Sequence, residues 1–210
     1  MINSFLPGNF VSGKATGNLK VYGNVNSPSV TAELICENVN VSNFDLESIE
    51  LNSQIDVKDN IPTGFIDVKA DKGIWKNHSF ESGTISALIK DKAIEIENCH
   101  FKSDNDFLQL SGAYDGDGKY EIHRIQLAHQ NNYLINARPL NFSYKDSTLD
   151  VQPFELHIND GTMEGVLSGT SNKEGRFKMS NFDAEILTQF IDDDRLKFSG
   201  LIFGETWISL

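Results

Sequence analysis

The amino-acid sequence predicts an all-β fold built as an antiparallel sheet. Three observations carry that reading. Apolar residues recur at every second position through most of the chain, the segments with this beat are short, and turn-forming residues divide them about every 8–12 positions. Successive side chains of a strand point to opposite faces, so each segment has one oily side and one wet side.

The beat begins with Val30, Ala32, Leu34 and Cys36, set among Ser29, Thr31 and Glu33 and interrupted by Ile35. Ile49 and Leu51, then Ile55 and Val57, alternate with Glu50, Asn52, Gln54 and Asp56. It recurs at Ile66/Val68/Ala70, Ile94/Ile96, Leu108/Leu110, Tyr120/Ile122, Leu140/Phe142/Tyr144, Leu156/Ile158 and Phe177/Met179. Between the runs stand Asn26-Ser27-Pro28, Asp59-Asn60, Asp71-Lys72-Gly73, Asp115-Gly116-Asp117-Gly118, Asn159-Asp160-Gly161 and Asn172-Lys173-Glu174-Gly175. These residues tolerate positive φ or pre-set a turn, and about a dozen short strands result. One stretch departs from the beat. Phe182, Ile186, Leu187, Phe190 and Ile191 fall at helical spacing, with Asp183 as N-cap and Asp192-Asp193-Asp194 as a polar stop. One short amphipathic helix is expected over 183–191.

Composition narrows the function classes. The 210 residues carry 18 basic and 30 acidic side chains, a net charge of −12. A phosphate-binding face needs clustered Lys and Arg, so nucleic acid is not expected as a partner, nor is an anionic membrane surface. With 39% hydrophobic and 23% charged residues, the chain reads as folded rather than disordered or membrane-spanning. No apolar run approaches the roughly 18–20 residues of a spanning helix, and MINSFLPGNF lacks the basic end and apolar stretch of a signal peptide. Membrane anchoring is therefore expected only through segments outside this stretch. Cys36 and Cys99 both sit in alternating segments and read as small buried hydrophobes, with a disulfide between them left open.

Motifs for chemistry fail one by one. Gly8 to Lys14 has the spacing G-x-x-x-x-G-K, but Ala15 stands where a magnesium-binding hydroxyl belongs and the following residues are strand-like. Asp115-Gly116-Asp117-Gly118 opens like a calcium loop, yet Lys119 and Gln126 occupy the fifth and twelfth positions. A hairpin turn is the better reading. Gly165 to Gly169 places its serine one residue late for a nucleophile elbow, and the five histidines form no metal-ligand spacing. No catalytic residue, metal site or cofactor is expected, and the chain does not read as an enzyme.

The chain also resembles itself. Ser12-Gly13-Lys14-Ala15-Thr16-Gly17 leads to Val21, and Ser199-Gly200-Leu201-Ile202-Phe203-Gly204 leads to Ile208 at the same spacing. "LSG" recurs at Leu110-Ser111-Gly112 and Leu167-Ser168-Gly169. Residues 1–210 thus read as a single segment, a fragment of a longer repetitive protein whose second copy begins near 196.

The stretch GKATGNLKVYGNVNSPSV at 13–30 resembles the G-x-x-x-G-x-L-x-V-x-G-x-x-x-x-P-x-V phrase of TamB/AsmA-like proteins of the Gram-negative envelope. LQLSGAYDGDG, TMEGVLSGTSN and FKMSNFDAEILTQFI with LKFSGLIFG are similar to that family's strand pairs and short helix, so the resemblance spans nearly the whole chain. It implies an open, curled antiparallel sheet, a taco-like β-groove with an apolar concave face. It implies a periplasmic location in a protein anchored in the inner membrane. The associated roles are lipid transport between inner and outer membranes and the assembly of outer-membrane proteins. Phospholipid acyl chains, and an outer-membrane β-barrel, are the partners it suggests.

A dozen strands spaced about 4.8 Å apart would make a trough on the order of 55 Å long. The residues expected to line it are Leu51, Ile55, Val57, Ile66, Val68, Ile94, Ile96, Leu108, Leu110, Ile122, Phe142, Tyr144, Leu156 and Ile158. From alternation alone the same positions serve equally as the core of a closed sandwich or solenoid. Two other roles stay open: a scaffold or chaperone-like module for outer-membrane assembly, and a secreted β-repeat adhesin, for which Trp75 and Trp207 supply few aromatic platforms.

Overall fold

The computed structural model describes residues 11–41, 44–75, 78–104, 106–129, 132–145, 148–168, 174–183 and 199–209. The described residues form sixteen strands and no helix. They divide into two compact units, Met1–Ser111 and Gly112–Leu210.

In the first unit the strands follow one another as antiparallel neighbours. They are β1 (Val11–Asn24), β2 (Ser27–Val41), β3 (Phe44–Lys58), β4 (Ile61–Ala70), β7 (Ser82–Lys90), β8 (Ala93–Lys102) and β9 (Asp106–Tyr114), whose last three residues belong to the second unit. The short β5 (Gly73–Trp75) and β6 (His78–Phe80) form a flap paired to the start of β3. Asp59 and Asn60 both hold positive φ, 52° and 63°, as a two-residue hairpin turn demands. Asp91, at φ 60°, begins the β7–β8 turn, which the residue pattern at 91–92 did not advertise.

Two irregularities keep the faces in phase. The β1–β2 register shifts between Ser12 and Lys14, beside Asn38 at φ 51°. The β7–β8 register shifts where Ser86 faces Asn98 and Ala87 faces Ile96, leaving Glu97 as the extra residue of a bulge. Ile96 and Cys99, three positions apart, therefore share a face.

The second unit holds β10 (Lys119–His129), β11 (Asn132–Asn136), β12 (Leu140–Lys145), β13 (Thr148–Ile158), β14 (Gly161–Ser168), β15 (Glu174–Asp183) and β16 (Leu201–Ser209). β11 and β12 act as one interrupted strand, since each pairs with β10 on one side and β13 on the other. Asn136 mends the break. Its side-chain carbonyl accepts the Ile125 N–H at 2.8 Å, and its amide donates to the carbonyls of His123 at 3.1 Å and Arg138 at 2.9 Å. Both N–H donors and the oxygen of that amide are thereby engaged with main chain that the ladder leaves open.

Packing centres on Ile158 and Phe182, 3% and 0% exposed, against Leu134, Met163 and Met179. Among the described residues the only other buried apolar side chains are Ala32, Val39, Ala70 and Phe154. The helix expected over 183–191 is not borne out. Asp183, its proposed N-cap, is the last residue of β15 and pairs with Leu201, while Phe182 pairs with Ile202. The remaining positions, 184–191, lie outside the described residues. Phe182 imitates helical spacing because the two-residue beat breaks after Met179. The break is a register shift between Met179 and Phe182, beside Asn181 at φ 51°.

The Asp115 loop is a turn between β9 and β10. The Asp115 carboxylate accepts N–H bonds from Lys119 at 3.0 Å and Asp117 at 2.8 Å, and these hold it below its ordinary value of 3.8, the Lys119 bond most strongly. A carboxyl depressed by folding contributes stability that is complete above that ordinary value and is lost as pH falls through the folded-state value.

Two outcomes are expected. Phe182→Ala should lower the unfolding free energy by about 3–5 kcal/mol, whereas Leu19→Ala, at a side chain 64% exposed, should change it by less than about 0.5 kcal/mol; urea unfolding followed by circular dichroism reads both. Asp115→Ala should lower the urea midpoint at pH 7, and the gap from the parent protein should narrow as pH is brought below 3.8.

Candidate functional site

Antiparallel register extends each two-residue alternation into rows that cross the sheet, because directly opposed residues share a face. In the first unit one row runs Gly17–Leu34–Leu51–Val68–Ile85–Cys99 from β1 to β8. Its neighbours run Leu19–Ala32–Ser53–Ile66–Ala87–Ile96, Val21–Val30–Ile55–Gly64–Ile89–Ile94 and Ala15–Cys36–Ile49–Ala70–Gly83–Phe101. Ser53 is the one polar residue in these four rows. At about 4.8 Å per strand, six strands span about 24 Å.

The opposite face carries Asn18–Glu33–Asn52–Asp67–Ser86–Asn98 and Thr16–Ile35–Glu50–Lys69–Thr84–His100. Ile35, the residue that interrupts the sequence beat, sits here and is exposed. All of these residues except His100 border a depression of about 810 Å3. A second, of about 820 Å3, gathers Asp45, Glu47, Glu81, Asp104 and Asp106 with Lys72. Among the described residues no polar side chain is buried, and no three potential metal ligands converge.

All seven lining positions expected on β3, β4 and β8, namely Leu51, Ile55, Val57, Ile66, Val68, Ile94 and Ile96, fall on the apolar face. Val57 joins it by alternation from Ile55 and by pairing with Pro62. The Phe107 ring meets His100 edge-on at 5.0 Å, so Phe107 shares the wet face and its neighbours in the beat, Leu108 and Leu110, fall on the apolar one.

In the second unit Tyr120–Phe142–Val151–Leu167 form one row, Leu156–Met163–Met179 another, and Leu127–Leu134–Ile158 a third. Ile122, opposite Leu140, and Tyr144, opposite Leu149, lie on that face too. The rings of Tyr114, Tyr120 and Phe142 stack in sequence at 4.8 and 4.9 Å. Phe154 and Phe177 close over Gly165, where a Cβ would approach both rings to 2.7 Å, and Phe101 covers Gly83 in the same manner in the first unit.

Neither apolar face meets a second layer among the described residues: strands in extensive contact are those that hydrogen bond side by side. Most of the expected lining is half-buried by its own neighbours, and Ile94 and Tyr144 are 43% and 55% exposed. The residue pattern overlooked Ile85, Ile89 and Phe154, and it placed Phe182 at helical spacing. Ile85 and Ile89 sit in a run where Leu88 blurs the beat, and Phe182 follows the β15 shift.

Cys36 and Cys99 are both free and half-buried. Four strand steps separate them, about 19 Å, beyond the roughly 7 Å limit for a disulfide. Burial pushes the Cys99 thiol up, away from reactive thiolate.

The two faces of β3 are separable by adjacent substitutions. Leu51→Asp should weaken binding of an environment-sensitive apolar dye and destabilise the fold, whereas Asn52→Asp should leave dye fluorescence unchanged and shift stability by less than about 0.5 kcal/mol. Compared with protein-family models, with curated proteins and with solved structures, the chain finds no match.

Proposed function

We propose that the chain is a segment of a TamB/AsmA-like envelope protein whose apolar sheet face takes up phospholipid acyl chains for transport between the inner and outer membranes. In this reading the sheet is open and curled, the protein is periplasmic, and segments outside residues 1–210 anchor it in the inner membrane. The observation that carries the reading is the apolar ladder of the first unit, crossing six strands with one hydroxyl among its side chains and no layer over it among the described residues.

The dimensions suit the ligand. One leaflet of a bilayer is about 15 Å of hydrocarbon, shorter than the ladder, so an acyl chain has room to lie and to move. Burial of each methylene contributes about 0.8 kcal/mol, and because the attraction is non-directional it does not fix the chain at one position. A charged headgroup would remain at the edge, in water. The wet face, rich in carboxylates and amides, offers no comparable surface to hydrocarbon.

Mass spectrometry of gently purified protein should detect bound phospholipid. Ile96→Asp and Leu110→Asp should each reduce transfer of a fluorescent phospholipid between vesicles while circular dichroism retains the β signature. Protein free of lipid, together with no crosslinking of a photoreactive lipid analogue to Leu51 or Ile96, would overturn the proposal.

A further inference from the structure

We infer that β5, β6 and the strand ends beside them, 39–41 and 44–46, form a hinged lid. It swings about a crease in the sheet and covers or uncovers the last row of the first unit's apolar face. The inference stands apart from lipid uptake, since it concerns how the sheet bends and holds whatever that face takes up.

The crease is a lapse in the two-residue beat that falls at one level in four neighbouring strand paths. The last row of the ladder holds Cys36, Ile49, Ala70 and Gly83, and the next apolar row holds Val39, Leu46, Gly73 and Phe80. Each path therefore steps by three residues where alternation steps by two. The pairing does not slip. Ile49 faces Ala70 on one side of the lapse and Leu46 faces Gly73 on the other, as Ala70 faces Gly83 and Gly73 faces Phe80. Between the rows stand Glu37-Asn38, Glu47-Ser48, Asp71-Lys72 and Glu81-Ser82, none apolar and all but Ser48 exposed. Val39, Ala70, Gly73 and Gly83, which flank them, are buried. Two outward residues in succession between two inward ones turn a strand through a corner. Inside the corner the Phe80 ring meets Phe101 of the last row edge-on, 5.3 Å between centroids at 82°. A Cβ on Gly73 would strike that Phe80 ring and Leu46, so the lid sits close upon the row.

Three features make the corner a hinge. No described strand runs through it unbroken, and an unbroken strand would act as a splint. β8 ends at Lys102, and the β1–β2 register shifts between Ser12 and Lys14 beside Asn38 at φ 51°. The main-chain bonds at the crease, from the Glu47 N–H to the Lys72 carbonyl at 2.8 Å and from the Asp71 N–H to the Ser48 carbonyl at 3.1 Å, run across the strands. They lie along the axis of bending, so rotation about it breaks neither. The side chains of the crease are polar and face water, so no packed core opposes the rotation. The Phe80–Phe101 pair is the latch.

The test uses the full chain with Cys36→Ala and Cys99→Ala, spin-labelled at cysteines placed on exposed sites. Ser79→Cys with Lys90→Cys spans the crease, and Lys20→Cys with Lys90→Cys stays within the ladder. Double electron–electron resonance should give two distances for the first pair and one narrow distance for the second. Phe80→Ala should raise the minor distance of the first pair about two- to tenfold, the worth of one edge-to-face ring pair, and leave the second pair unchanged. Hydrogen exchange should keep amide protection in 73–75 in both proteins, because the lid moves as a body. A single narrow distance for the first pair, or a distribution that Phe80→Ala leaves unchanged, would overturn the inference. Loss of protection in 73–75 would overturn it too, since the lid would then be melting and not swinging.

Discussion

A strand alternates its side chains with a period of two, so a single unmatched residue turns every later side chain to the wrong face. The rest of the structure depends on meeting that constraint strand after strand, with no second layer among the described residues to correct mistakes. The rows of the first unit stay apolar across six strands because the slips are absorbed where they arise, beside Asn38 and at Glu97, and β15 of the second unit absorbs one beside Asn181. Two of these sites place asparagine in the left-handed region, where its short polar side chain tolerates positive φ. Irregularity here preserves order.

With no second layer among the described residues, the sheet needs another source of cohesion. Cross-strand neighbours on one face contribute roughly 0.2–1 kcal/mol per pair, and this chain multiplies such pairs by width. At two of the glycines in these rows aromatic rings from adjacent strands fill the space, Phe101 at Gly83 and Phe154 with Phe177 at Gly165. The stacked rings of Tyr114, Tyr120 and Phe142 bind three strands in one run. Ion pairs add little: Lys14–Glu37, Lys90–Glu95 and Lys178–Glu164 lie in water on the wet face. Burial is shared thinly across many residues, with the Ile158–Phe182 cluster as its densest point.

Much of this was legible in the residues. Alternation located the strands and put all fourteen expected lining positions on the apolar faces of their units. Paired Asp59-Asn60 and Asn159-Asp160 marked their turns. What the residues concealed was phase. After Met179 the next core residue comes three places on instead of two, and Phe182 followed by Ile186 then imitates a helical interval. No local feature of the sequence separates a bulge from a helix start; only the partner strand, with Ile202 set against Phe182, decides it.

The amide of Asn136 carries a consequence of its own. It accepts from Ile125 and donates to two carbonyls, a combination that no carboxylate can reproduce. Exchange of its one nitrogen for oxygen, the ordinary chemical ageing of asparagine, would set lone pair against lone pair at His123 and Arg138. The clasp between β11 and β12 is thus the place where a change of a single atom, with no change in size, would begin to unfasten the sheet.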